Sequence, residues 1–300
     1  MEESSRLLRH ALVIAGGLFL ASCQSIQKPA WDLPPGVRTQ MVDSYPMAYV
    51  ERGTGPTVVL VHGALNDYRY WTPQLDSLSG FRVVSISLRH YYPEPWNGVG
   101  DFSLTRHAKD LVIFIEGLKA GPVNLVGWSR GGNVAVAATR LRPDLVRKLV
   151  LMDPALYELT PGAPPSGDDP RIARIKATSE YFKKNDIDGG LRYFTDGVNG
   201  PGTWNRLSED LRRGRRENAW TLVGHLGDVE TYSCADIGSF KMPVLLMTGE
   251  RSPKQFGPIL DGFQRCLPSA GRITIPNAAH PMSRMNPTAF NAALTRFLLE

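Results

Sequence analysis

The sequence predicts an α/β protein with a mostly parallel central sheet covered by helices on both faces, and three observations carry that prediction. Short apolar runs of strand length alternate along the chain with stretches of helical periodicity. One such transition, from Val123-Asn124-Leu125-Val126 into Asn133-Val134-Ala135-Val136, passes through Gly127-Trp128-Ser129-Arg130-Gly131, a pattern that forces a sharp strand-to-helix turn. The chain has 300 residues, 42% of them hydrophobic, which is enough for one large core.

The elements follow in order. Runs at about 37–43 and 46–51 read as antiparallel edge strands, and further strands are expected near 57–62, 82–87, 122–126, 147–153, 243–248 and 271–276. Helices are expected near 103–118, 131–141, 255–266 and 286–299. Between Asp153 and Met242 the alternation stops for a stretch too long to be a plain connection in a compact domain. Its first part, Pro161 to Pro170, is rich in Pro, Gly and Asp like a hinge, and helices are expected over Ile172–Lys184, Leu207–Arg216 and Trp220–Leu226. The reading is therefore a core from 37–154 and 241–300, with 155–240 forming a helical lid over Ser129. Leu65, Trp128, Tyr157 and Tyr181 are candidate pocket residues, while Phe182, Trp204 and Trp220 are divided between pocket lining and the lid's own packing. No internal repeat and no low-complexity segment is present.

The chemistry centres on Ser129. A serine hydroxyl needs a base to take its proton, a group to orient that base, and donors for the developing oxyanion. His280, just beyond the apolar run Arg272-Ile273-Thr274-Ile275, sits in a strand-end loop from which it can reach a neighbouring strand end. His10, His90, His107 and His225 lie in the leader, a loop, a helix and the lid, where a solvated or structural role is expected. The backbone N–H of Arg130, following the serine, is one expected oxyanion donor. Thr57-Val58-Val59-Leu60-Val61-His62-Gly63-Ala64 supplies a strand and a His-Gly turn, so Ala64 is the second donor, with Leu65 next in line, and His62 a brace of the turn.

The order of His-Gly turn, G-x-S-x-G and late histidine resembles the α/β-hydrolase superfamily from about Val37 to Glu300. Within it, Gly63-Ala64-Leu65-Asn66-Asp67-Tyr68-Arg69-Tyr70-Trp71 and Thr248-Gly249-Glu250-Arg251-Ser252-Pro253 are similar to a bacterial subgroup of small serine-dependent hydrolases. The resemblance implies the fold and the triad logic but says little about substrate. Most relatives carry an aspartate three residues past a glycine after the penultimate strand, and here Ser252 stands at that place. The other location the fold uses is the end of the strand after the nucleophile helix, where Lys148-Leu149-Val150-Leu151-Met152-Asp153-Pro154 presents Asp153. Asp153 is therefore the first candidate acid and Glu250 the alternative.

The N-terminus resembles a bacterial lipoprotein leader. Arg6 and Arg9 precede the apolar run Ala11 to Leu20, too short to span a bilayer, and Leu20-Ala21-Ser22-Cys23 resembles a lipobox. The expectation is a signal peptide over 1–22, lipidation of Cys23 and a linker over 23–36; Gln24 resembles the pattern sorted to the outer membrane. Glu2 and Glu3 weaken the positive region, so an ordinary signal peptide or an uncleaved anchor is the alternative. In an oxidising compartment Cys234 and Cys266 are free to pair, which the sequence leaves open. The net charge of +5 is scattered apart from Arg212-Arg213-Gly214-Arg215-Arg216, read as a solvated helix face, and no nucleic-acid motif accompanies it. No metal-ligand spacing and no phosphate-binding loop is present, so no metal, cofactor or protein partner is expected.

Together these features predict a lipid-anchored periplasmic serine hydrolase that cleaves a carboxylic ester or lactone through an acyl-enzyme. Two alternatives stand beside it: a catalytically silent ligand-binding protein of the same fold, favoured by Ser252, and a C–C bond or amide hydrolase using the same triad.

Overall fold

The structure, a computed structural model, describes residues 30–96, 98–156, 159, 169–228 and 230–300. Residues 1–29, with Cys23 among them, and Tyr157 lie outside the described residues.

The strands are β1 (Arg38–Val42), β2 (Tyr45–Arg52), β3 (Thr57–Val61), β4 (Arg82–Ile86), β5 (Val123–Trp128), β6 (Val146–Met152), β7 (Val244–Gly249) and β8 (Gly271–Ile275). They form one eight-stranded sheet in the order β1-β2-β4-β3-β5-β6-β7-β8. β1 and β2 are antiparallel, as expected of the edge runs, and β3 to β8 are parallel. The helices are α1 (Thr72–Ser77), α2 (Leu104–Gly117), α3 (Arg130–Leu141), α4 (Pro170–Lys183), α5 (Ile187–Asn199), α6 (Thr203–Arg206), α7 (Glu209–Glu217), α8 (Thr221–Gly224), α9 (Cys234–Gly238), α10 (Phe256–Cys266), α11 (Met282–Met285) and α12 (Pro287–Leu299).

Strand periodicity explains the layers. Side chains alternate across a sheet, so a strand buried on both faces must be apolar at every position. In β3, Val59 and Val61 pack with Phe114 of α2 and Val134 of α3, whereas Val58 and Leu60 pack with Leu75 of α1 and Phe290 of α12. β6 divides the same way, with Leu149 and Leu151 on the first side and Val150 and Met152 on the second. Each parallel strand thus delivers its carboxyl end to one edge of the sheet, where functional loops gather.

Helices α4 to α8 occupy the interval between β6 and β7 and pack around a small core of their own, which includes Ile172, Ile175, Phe182, Leu191, Trp204 and Leu222. α5 is absent from the sequence reading. Gly189 and Gly190 in its first turns lower helix propensity, and its formation is a tertiary effect of packing on α4. The expected helix at Leu207 begins instead at Glu209, because the Ser208 hydroxyl accepts from Leu211 N–H and caps it. A disulfide joins Cys234 on α9 to Cys266 at the end of α10, with Cα atoms 4.7 Å apart. No helix among the described residues is long and apolar enough to cross a membrane.

Candidate active site

The turn between β5 and α3 is made by close approach. A Cβ at Gly127 would lie 2.6 Å from the Gly131 carbonyl oxygen, and one at Gly131 would lie 2.3 Å from the His62 carbonyl oxygen. With those positions bare, α3 packs directly on the strand and Ser129 takes φ 53°, ψ −121°, a conformation unfavourable for a side-chain-bearing residue. Its N–H is held by the Met152 carbonyl at 2.9 Å, and its own carbonyl accepts from Gly132 and Ala155 N–H. The serine is half-buried and faces a cavity of about 490 Å³.

His280 reaches the same cavity from the loop after β8 and is 3% exposed. Its Nδ1 lies 3.1 Å from Oδ2 of Asp153, a fully buried carboxylate at the end of β6. The imidazole is stacked on Phe256 at a centroid separation of 4.4 Å, and Trp128 packs on it at 5.1 Å. Trp128 also donates its indole N–H to the His280 carbonyl. The ring is thus fixed by packing and by a carboxylate together.

Ser252, read as a missing acid, has a place in this arrangement. Its hydroxyl donates to Oδ2 of Asp153 at 2.6 Å and accepts from Gly249 N–H at 3.0 Å. Asp153 and Ser252 therefore meet at adjacent strand ends. Glu250 makes a different contact: it is exposed and accepts from Asn277 N–H at 2.7 Å, bracing the loop that carries His280.

Ala64 and Arg130, the expected oxyanion donors, both line the cavity. His62 is fully buried, with Nδ1 on the Gly63 carbonyl at 2.8 Å and Nε2 accepting from Leu88 N–H at 3.1 Å. Burial pushes its pKa down to about 4, which matches a neutral brace. The side chain of Arg130 carries more than the sequence disclosed. It is buried and ion-paired to Asp228 at 2.6 Å, and its Nη1 approaches Nδ1 of His107 at 2.9 Å. Burial and this guanidinium hold His107 well below the usual histidine range, and burial does the same for His225.

Several pocket expectations need correction. Trp128 lines the cavity, but Leu65 does not: at φ 59° it turns into the small core of α4 to α8. Tyr181 is 36% exposed and stacks on Tyr193 away from the cavity, because the unread α5 packs beside it. Phe182 and Trp204 belong to that same small core, and Trp220 is exposed. The arginine run is also only partly a solvated face. Arg213 is exposed and Arg216 pairs with Asp188 and Glu209, but Arg215 lines the cavity. A nine-residue helix turns residues two apart to different sides, which the run of identical charges conceals.

Among the described residues no group of three or more His, Cys, Asp or Glu could hold a metal ion.

The profile described as alpha/beta hydrolase fold matches residues 56–222. The chain is 29% identical over 275 residues to a Bacillus subtilis protein provisionally assigned as a 2-succinyl-6-hydroxy-2,4-cyclohexadiene-1-carboxylate synthase, covering 88% of this chain and 95% of that one. It is 26% identical over 265 residues to a 2-(acetamidomethylene)succinate hydrolase of Mesorhizobium japonicum, covering 83% and 90%. An esterase structure from Exiguobacterium antarcticum superposes with a TM-score of 0.72 at 18% identity, covering 88% of this chain and all of that one (100%), a likeness of fold.

Proposed function

The chain belongs to the α/β-hydrolase fold family, and on that premise we propose that it is a serine hydrolase cleaving a carboxylic ester or lactone through an acyl-enzyme. The observation that carries the reading is the buried contact of His280 Nδ1 with Asp153 at 3.1 Å, on the cavity that Ser129 also lines. With Nδ1 engaged by the carboxylate, Nε2 is the nitrogen left for the serine. Ser129 Oγ attacks the carbonyl, and His280 takes its proton and passes it to the leaving alcohol. Asp153 offsets the imidazolium charge, and the amides of Ala64 and Arg130 hold the oxyanion. Water, deprotonated by the same imidazole, then releases the acid.

A silent binding protein was favoured by Ser252 alone. That support weakens once Asp153 stands in contact with both Ser252 and His280. C–C bond or amide cleavage uses the same constellation, and one relative is named as a hydrolase of 2-(acetamidomethylene)succinate.

Residues 155–240 are proposed as a lid on the core of 37–154 and 241–300, supported by α4, α5, α6 and α7 each contributing to the cavity wall. Lipidation at Cys23, with residence in the envelope facing the periplasm, is likewise proposed. The Cys234–Cys266 bond supports an oxidising compartment. In Cys23→Ser, an uncleaved, unlipidated precursor is the expected product; a wild-type protein recovered as a soluble species starting at another residue would contradict it.

The test of the activity is turnover of p-nitrophenyl esters of graded chain length, alongside lactones. Ser129→Ala should lose about three or more orders of magnitude in kcat with its fold intact. Unchanged turnover in that variant would end the serine reading.

A further inference from the structure

The cavity that holds Ser129 and His280 is unbalanced in charge. Two of its arginines are matched: Arg130 pairs with Asp228 at 2.6 Å, and Arg171 places Nε 2.9 Å from Oδ1 of Asp169. Arg215 and Arg174 also line it, and among the described residues neither makes a close ion pair with a carboxylate, although Arg174 acts from further away on Asp169. Arg206, a third such lining residue, is exposed and spends its guanidinium on the Pro201 carbonyl and the Thr203 hydroxyl.

Arg215 is the informative one. Its Nη1 donates to the hydroxyl of Thr195, a fully buried neutral partner, at 2.7 Å. Arg215 is half-buried, and desolvation brings its pKa down to about 10, so it remains a cation at neutral pH. A desolvated cation with one neutral partner and a cavity in front of it is a costly arrangement unless a counter-charge arrives with the ligand. The position is also fixed. Arg215 lies on α7, whose C-terminal end is tied to the loop after the His-Gly turn: Asn218 Nδ2 donates to Asp67 at 2.7 Å, and Glu217 pairs with Arg69 at 2.6 Å. Arg215 acts electrostatically on Tyr70, and Tyr70 stacks on Trp128, the residue before the serine, at 4.1 Å. Arg215, Trp128 and Ser129 line one cavity.

From this we infer that the substrate is an ester or lactone that itself carries a free carboxylate, bound by Arg215, with Arg174 a second cation on the same cavity. The inference rests on the serine hydrolase reading for its chemistry and on the cavity alone for its charge. A guanidinium suits the part because its planar fork matches a carboxylate and it never loses its proton near neutrality.

The experiment compares two esters of equal reach: the 4-nitrophenyl monoester of adipic acid, with a free carboxylate, and its methyl-capped neutral counterpart. Wild type should favour the anionic ester in kcat/KM by at least about tenfold, carried mainly by KM, and Arg215→Gln should bring the ratio near unity. Arg215→Lys should retain part of the preference, and Arg174→Gln should lower it, which keeps the test open if Arg215→Gln does not fold. A wild-type ratio at or below one, or one unchanged in Arg215→Gln, overturns the inference. Calorimetry on Ser129→Ala separates the two readings. Free adipate should bind Ser129→Ala and bind Ser129→Ala/Arg215→Gln at least about tenfold more weakly, with dimethyl adipate as the uncharged control. If Ser129→Ala cleaves both esters as fast as wild type, the serine reading fails while adipate binding still decides the role of Arg215.

Discussion

Asp153, Ser252 and His280 make a three-way contact in which one carboxylate oxygen serves both a hydroxyl at 2.6 Å and an imidazole at 3.1 Å. The carboxylate is fully buried, so an amide in its place keeps the shape and removes the charge that offsets the imidazolium. Asp153→Asn should therefore lower kcat by roughly 10³ to 10⁴, the scale of the worked serine-protease case. Ser252→Ala removes one charge-assisted hydrogen bond and should cost about tenfold. Glu250→Gln touches only the loop amide of Asn277 and should cost about tenfold or less. Measuring kcat for the three variants on one activated ester checks the order; a crippled Glu250→Gln with an active Asp153→Asn would reverse it. At this scale the sequence was legible wherever a residue type is tied to a chain position. The serine of the strand-to-helix turn, the late histidine and a strand-end aspartate could all be read. That Ser252 would serve Asp153 could not, because it depends on β6 and β7 lying side by side.

Elements were legible in proportion to how much of their order is local. β3 and residues 149–152 of β6 read directly from apolar runs, since burial on both faces leaves no alternation to misread. α5 escaped because its glycines speak against a helix that packing on α4 nevertheless imposes, and with it the placing of Tyr181 was lost. The pairing of Cys234 with Cys266 was equally beyond sequence, since it requires α9 to lie against the end of α10. That bond closes a segment with a sequence separation of 32, and by loop-closure entropy its loss should destabilise the protein by about 3 to 4 kcal/mol. Denaturant unfolding of the Cys234→Ser/Cys266→Ser double variant measures this. An unchanged midpoint would mean that the bond adds nothing to the packing of the two helices.

The molecule as a whole buries three histidines near the catalytic edge in neutral form: His62, at about 4, and His107 and His225, both held well below the usual 6.5. Below about pH 6.5 the unfolded chain takes up protons at these positions while the folded chain does not, so stability falls as pH falls toward the folded values. Each histidine adds a slope of about 1.4 kcal/mol per pH unit within that window. Urea unfolding at pH 7.5 and 5 should show the loss, and His62→Gln should flatten it in part; equal stability at both pH values would contradict the neutral assignments. Of the three, His225 lines the cavity that Ser129 faces, and chemistry at that serine is the central claim. The direct measurement is to treat the protein with a fluorophosphonate and map the modified peptide by mass spectrometry. One stoichiometric adduct on Ser129 is expected, absent in Ser129→Ala and strongly slowed in Asp153→Asn. An unmodified Ser129, or labelling that persists undiminished in Ser129→Ala, would contradict it.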